Sequence, residues 1–255
     1  MLLPFVPGDY DPLASTLAVA ATAFAFGSLL LVPIGLVWLI FSPGGYGPSK
    51  FALIAATLVA AAVALATAAG DHSLSAAAVG LVAALSSAAS LWRRVRRAQT
   101  NGVILPRTVP MALIAVPLTV LAARMTFAEP AAESSRNRVI ANAAEIIADI
   151  ERFRERTGTY PVALSALHPD YRPGSMGVER YRYEPSGQAY SVYFEHPAAS
   201  FGVQEVVMYN PLNEQDISSH TVDLLQLSAA DIRRQRGYFA AHALTQAGWR
   251  RFLFD

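Results

Sequence analysis

Residues 134–161 read SSRNRVIANAAEIIADIERFRERTGTYP, and this stretch decides the fold of the second half of the chain. Val139, Ala143, Ile146, Ile150 and Phe153 recur at spacings of four and three, with Ile140 and Ile147 widening the stripe. That period predicts a helix with one buried face, beginning at a Ser134 or Ser135 cap and running to about Arg156. Glu145, Asp149, Arg152 and Glu155 fall on the opposite, solvated side. Thr157-Gly158-Thr159-Tyr160-Pro161 ends the helix, with Gly158 placed as its C-terminal cap.

Upstream of this helix the composition changes abruptly near Glu129. The whole-chain mean hydropathy of +0.33 averages two unlike halves. Up to Pro130 the charged residues are Lys50, Arg93, Arg94, Arg96, Arg97, Arg107 and Arg124 against Asp9, Asp11, Asp71 and Glu129. Four apolar runs there have the length that a bilayer core of about 30 Å demands of a helix. They cover residues 13–41, 51–69, 74–91 and 109–128. Gly27, Pro33 and Gly35 lie inside the first, and a bend is expected at Pro33. The first three carry no charge, and Arg124 sits near the outer end of the fourth, which gives no support to a pump or channel.

Loop charge sets the orientation. Arg93, Arg94, Arg96, Arg97 and Arg107 lie between runs three and four, and Lys50 lies between runs one and two. Both loops should face the cytoplasm, which places the amino terminus and everything after Ala128 outside. Pro4, Pro7, Pro12, Asp9 and Asp11 precede the first run, unlike the basic start of a secretory signal. The expected division is therefore residues 1–128 as a four-helix transmembrane domain and 129–255 as a periplasmic α+β domain of an inner-membrane protein. Its first partner is the lipid bilayer.

Downstream of Pro161, Leu164 to Leu167 reads as a helical turn. Glu179 to Glu184 and Ala189 to Glu195 alternate about Pro185-Ser186-Gly187-Gln188, which predicts an antiparallel hairpin. Glu205 to Tyr209 is a third strand, residues 229–236 a short helix, and Tyr238 to Ala240 and Trp249 to Phe254 further strands or packing segments. The predicted class is a long helix packed on a small antiparallel sheet. In this half 13 Arg stand against 15 acids, a near balance that argues against nucleic-acid binding. The absence of cysteine excludes disulfides, thiolate metal sites and thiol catalysis.

Residues 146–194 resemble the globular part of type II secretion major pseudopilins and type IV pilin-like proteins. The shared features are the amphipathic helix, the Thr157-Gly158-Thr159-Tyr160-Pro161 corner, the Leu164–Leu167 turn, Pro169-Asp170-Tyr171, and the Tyr181-Arg182-Tyr183 and Tyr190-Ser191-Val192-Tyr193-Phe194 strands. The resemblance implies a pilin-like fold and an assembly or interaction role. It also implies a calcium-holding late loop, for which Asn210, Asn213, Glu214 and Asp216 are the candidates, although that loop lacks a calcium-loop signature. The pattern departs from a prepilin. Gly102 follows basic residues, but the fifth residue from Val103 is Arg107, Pro106 and Pro110 interrupt the helix start, and three spans precede the site.

No catalytic or cofactor constellation stands out. His168, His196, His220 and His242 are scattered without metal-ligand spacing, and Ser200, Ser218 and Ser219 lack a nucleophile-elbow setting. Tyr181, Tyr183, Tyr190, Tyr193, Tyr209, Tyr238 and Trp249 are explained by sheet packing or by an exposed docking surface. The first expectation is a non-enzymatic envelope protein whose domain meets an envelope protein or a second copy of itself. A membrane enzyme or sensor would instead draw His220, Asp223 and His242 together within the 196–242 region. A pilus or secretion subunit precursor would be cleaved after Gly102.

Overall fold

The computed structural model describes residues 1–41, 108–167, 170–200, 203–215 and 239–254, with isolated helical positions between 54 and 101. These residues form two compact units, Met1 with Leu13–Ala128, and Leu2–Pro12 with Glu129–Asp255. Sequence reading grouped the amino-terminal residues with the membrane helices. The structure instead packs Leu2–Pro12 into the second unit.

In the first unit, helix α1 (Pro12–Ser28) and helix α2 (Leu31–Phe41) form one apolar stretch with a break at Leu29–Leu30. Pro33 is the cause. It has no N–H to give to Leu29, four residues back, and its ring crowds that carbonyl. Tighter bonds fill the gap, from Leu30 N to Gly27 O and from Val32 N to Leu29 O, both 3.1 Å. Helix α3 (Thr108–Thr157) contributes its residues up to Ala128 to this unit.

Two helical stretches among the described residues, Pro12–Phe41 and Pro110–Thr157, are long and apolar enough to cross a membrane. Only 11% of the most apolar part of each is buried, so neither has the surroundings of a soluble core helix. Leu13, Leu30, Ile40, Phe41, Met111, Val116 and Met125 all lie exposed. The expected second and third runs, at 51–69 and 74–91, fall mostly outside the described residues, as do Gly102, Val103 and Arg107.

Gly35 brings α2 against α3. A Cβ there would lie 2.8 Å from Ile114 Cγ1, 3.0 Å from Pro110 O and 3.2 Å from Leu113 Cβ. Near the other end of the pair, Arg124 does not simply reach outward. Its Nη1 donates to Thr22 Oγ1 at 3.0 Å.

In the second unit, α3 supplies Val139, Ile140, Ala143, Ile146 and Ile150 as one buried stripe. The helix does not begin at Ser134 or Ser135, as its sequence suggested, but continues through both from the first unit. Ser135 Oγ makes no cap because it is turned into the domain, 2.7 Å from Ser175 Oγ. The helix ends as expected: Gly158 takes φ +79° and its N–H meets Arg154 O at 2.8 Å. Tyr160 then packs edge-on against Tyr190, and Tyr183 donates its hydroxyl to Pro161 O. A 3₁₀ turn follows at Leu164–Ala166.

The sheet contains β1 (Arg182–Ser186), β2 (Ala189–Pro197), β3 (Gln204–Tyr209), β4 (Phe239–Ala243) and β5 (Trp249–Phe254). Its order is β1-β2-β3-β5-β4, with every pair antiparallel. The first hairpin is tighter than predicted. Ser186 pairs with Ala189, so Gly187 and Gln188 alone form the loop. Gly187 takes φ +57° and Gln188 does not share a positive φ, the pattern of a type II′ turn. Pro185 lies within β1, where an edge strand tolerates a residue without an N–H.

Alternation along the strands divides the side chains between two faces. Tyr190, Val192, Phe194, Val207 and Trp249 join the helix stripe in one cluster. Tyr193, Val206, Met208, Phe252 and Phe254 belong to the other parity and are buried as well. The expected helix at 229–236 lies outside the described residues.

Two consequences are measurable. Gly35→Val places a branched side chain against the Pro110 carbonyl and should loosen the α2–α3 contact, lowering the thermal midpoint of the detergent-solubilised protein. In the second unit, burial raises the Tyr181 and Tyr190 phenols, Glu151 adding to the rise at Tyr190, and burial first, then Tyr160 and Glu151, push Tyr183 up to about 12. An unfolded phenol ionises near pH ~10. Folded pKa values above that mean stability intact below pH ~10 and lost as pH climbs through about 12. Phenolate absorbance should therefore rise in two phases, the later one coincident with loss of circular dichroism.

Candidate functional site

The stripe of α3 does not stop at Val139. One turn earlier it presents Ser135 and Arg136, both buried. On the sheet the same face continues from Phe194 to His196 and from Val207 to Glu205, both also buried. Arg136 meets Glu205 in a bidentate pair, Nε to Oε1 at 2.6 Å and Nη2 to Oε2 at 3.2 Å. His196 Nδ1 lies 3.4 Å from Glu205 Oε1, a close charge contact with poor hydrogen-bond alignment. Arg251 Nη1 on β5 bridges Glu205 Oε2 at 3.9 Å and the exposed Glu129 at 3.2 Å. Burial alone would push the Glu205 carboxyl up. The contacts and charges of His196 and Arg136 outweigh it and hold the carboxyl below its usual range.

The other ring nitrogen leads away from the charges. His196 Nε2 is 3.2 Å from Ser135 Oγ, which is 2.7 Å from Ser175 Oγ, and Ser175 donates to Pro4 O at 3.0 Å. Pro4 belongs to an amino-terminal strap, Leu2–Pro12, laid across the domain. Its backbone pairs with residues 174–177: Met176 N to Val6 O at 3.1 Å, Gly177 N to Pro4 O at 2.8 Å and Asp11 N to Met176 O at 3.0 Å. The Phe5 ring stacks on His196 with centroids 5.9 Å apart. Gly177 is required here, because a Cβ would fall 2.6 Å from Pro4 Cβ and 2.5 Å from Pro197 Cγ.

Carboxylate, imidazole and hydroxyl in this order are the parts of a nucleophile relay. The geometry does not make one. Ser135 is fully buried, and Ser175 and Pro4 continue the chain where an electrophile would have to approach. Its chemistry is that of a buried polar network, joining helix, sheet and strap.

The residues singled out by sequence are dispersed. His196 is in this cluster. His242 is exposed on β4 opposite Arg251, and two strands separate β4 from β2, a distance of about 14 Å. His168, His220, Asp223, Ser218 and Ser219 lie outside the described residues, and Ser200 is exposed after β2. Of the calcium candidates, Asn210 is buried, its Oδ1 accepting from Leu212 N at 2.9 Å and Glu214 N at 3.3 Å. Asn213 takes φ +58° in the same turn, and Asp216 is outside the described residues. No group of three or more His, Cys, Asp or Glu able to hold a metal exists among the described residues.

Tyr181, Tyr190, Tyr193 and Trp249 are buried, and Tyr183 and Tyr209 are half-buried. They build the core and do not form an exposed patch. Tyr238 lies outside the described residues. A recess of about 280 Å³ lined by Asn142, Glu145, Asp170, Tyr171 and Arg172 is polar and open.

Sequence reasoning missed Ser135, Arg136 and Glu205, although a signal was present. All three occupy positions whose period assigns them to a buried face, where an unpartnered charge would be costly. Glu205→Gln leaves the buried Arg136 with only the exposed Glu129 carboxylate, 3.9 Å from Nη2, and should cost about 3 kcal/mol, read as a fall of about 10 °C in thermal midpoint. Comparison with known protein families, with curated proteins and with solved structures found no match for this chain.

Proposed function

We propose that this is an integral membrane protein that presents a pilin-like α+β domain on the outer side of a bacterial inner membrane, where it serves a non-enzymatic interaction or assembly role. The observation that carries this reading is the docking of Leu2–Pro12 into the same unit as Glu129–Asp255. Backbone hydrogen bonds between Val6 and Met176 require both segments to be on one side of the bilayer. The chain between Pro12 and Glu129 must then cross an even number of times. Four crossings, at 13–41, 51–69, 74–91 and 109–128, meet this condition. They also place Arg93, Arg94, Arg96 and Arg97 on the cytoplasmic side, as the positive-inside rule prefers.

Two further features support the reading. Helix α3 joins an apolar segment with exposed side chains to a stripe buried on an antiparallel sheet, the arrangement that the pilin resemblance implies. The strap also supports work as an intact chain. Cleavage after Gly102 would sever the domain from the segment that covers His196 and bonds Ser175.

The absence of cysteine allows a direct test with single-cysteine variants of the full chain. In intact cells a membrane-impermeant maleimide should label Val162→Cys and Tyr10→Cys, both exposed positions. Asn101→Cys should react only after permeabilisation. Labelling of Asn101→Cys alone would reverse the orientation, and opposite behaviour of Tyr10→Cys and Val162→Cys would break the even crossing number. A chain found to begin at Val103 would replace this reading with that of a processed subunit.

A further inference from the structure

The strap is tied to the buried charges through two hydroxyls, and counting hydrogens decides which atom donates to which. Pro4 O can only accept, so the Ser175 hydroxyl gives its hydrogen there, at 3.0 Å. Ser175 then offers only lone pairs to Ser135 Oγ at 2.7 Å, so Ser135 must be the donor in that contact. Ser135 in turn offers only lone pairs to His196 Nε2 at 3.2 Å, so Nε2 must carry a hydrogen. On the opposite edge of the ring, Nδ1 faces Glu205 Oε1 at 3.4 Å, and a bare nitrogen lone pair there would repel the carboxylate. All of these contacts are attractive together only when His196 holds two protons.

A singly protonated ring has two forms. A hydrogen on Nε2 keeps the chain but turns a bare Nδ1 lone pair to the Glu205 carboxylate, whereas the form that presents its hydrogen to Glu205 from Nδ1 avoids that repulsion and reverses the chain. With its hydrogen on Nδ1, Nε2 accepts from Ser135, Ser135 accepts from Ser175, and Ser175 has nothing left for Pro4. Pro4 O keeps only the Gly177 amide, at 2.8 Å. We propose that His196 is a proton-operated latch on the amino-terminal strap: the doubly protonated ring closes the Ser175–Pro4 bond, and loss of one proton opens it.

The groups facing this ring come from every element around it. Glu205 on β3 faces the ring at Nδ1, and Arg136 on α3 holds that same carboxylate. Arg251 on β5 and Glu129 on α3 stand behind Glu205 with opposite signs. Phe194 on β2 and Phe5 on the strap cover the ring with aromatic faces and bring no charge. On the strap, Asp9 pairs with Arg172, which also meets Asp170; these exposed groups lie on loops away from the relay. The latched strap holds one more proton than the loosened one, so acid favours closure and rising pH favours opening.

The latch belongs to the second unit alone, so membrane orientation does not enter it and the labelling experiment can fail without touching it. Hydrogen exchange of the full-length protein in detergent reads the strap through the Met176 and Gly177 amides, with β2 and β3 as internal reference. After correction for the intrinsic pH dependence of exchange, those amides should open about fivefold more often at about pH 8.5 than at about pH 5, the factor that one buried hydrogen bond is worth. Ser175→Ala removes the bond but leaves the charges in place. It should make the amides exchange at the faster level at both pH values, and His196→Gln should likewise abolish the pH dependence. Equal opening of the unsubstituted protein at both pH values would overturn the latch, and so would a pH dependence that survives in Ser175→Ala.

Discussion

The bidentate contact between Arg136 and Glu205 fixes how the long helix lies on the sheet. Two full charges withdrawn from water tolerate little displacement, because a shift of one residue on either element would break both hydrogen bonds between them. Apolar side chains on the same stripe are less demanding. Ile146 and Ile150 would find other apolar neighbours if the helix slid by a turn, but Arg136 has one carboxylate within reach of both Nε and Nη2. Glu205 in turn fixes β3, and the β2–β3 and β3–β5 registers bring His196 and Arg251 to its two sides. A replacement of the pair by apolar residues of equal volume would keep the burial and lose this registration.

Aromatic rings do the complementary work along the rest of the helix. Tyr181 gives its hydroxyl to Val139 O, Tyr183 to Pro161 O, and Tyr160 carries the Arg154 guanidinium over its face at 4.7 Å. Each ring fills apolar volume while its polar atom satisfies a backbone or side-chain group. The domain therefore concentrates charge at the start of the buried stripe and spreads phenols from Val139 to the corner at Pro161.

What could be read from the sequence was local. The Gly158 cap, β5 and the stripe from Val139 to Ile150 each depend on residues a few positions apart, and periodicity and turn chemistry carried them. The hairpin ends differ because Pro185 suggested a loop, whereas an edge strand accepts it. The helix start was misplaced because Ser135 has the chemistry of a cap, and nothing nearby in sequence reveals that Ser175 and His196 compete for its hydroxyl. The strap was illegible for a deeper reason. Residues 2–12 have no alternation and three prolines, and their partners lie far along the chain. The buried polar cluster stood between these cases: its parity was readable, but the pairing of Arg136 with Glu205, 69 residues away, was not.

The strap has a consequence for biosynthesis. Pro4 and Ser175 are 171 positions apart, so the ribosome makes the strap long before its acceptor exists. At roughly 5–20 residues per second the wait lasts roughly ten to thirty seconds. During that interval the nascent amino terminus must stay extended and uncommitted, a task for which Pro4, Pro7 and Pro12 suit it by discouraging premature helix or sheet. The domain is thus finished by a segment made well before the rest of it, and completion of the fold reports that everything between has been made.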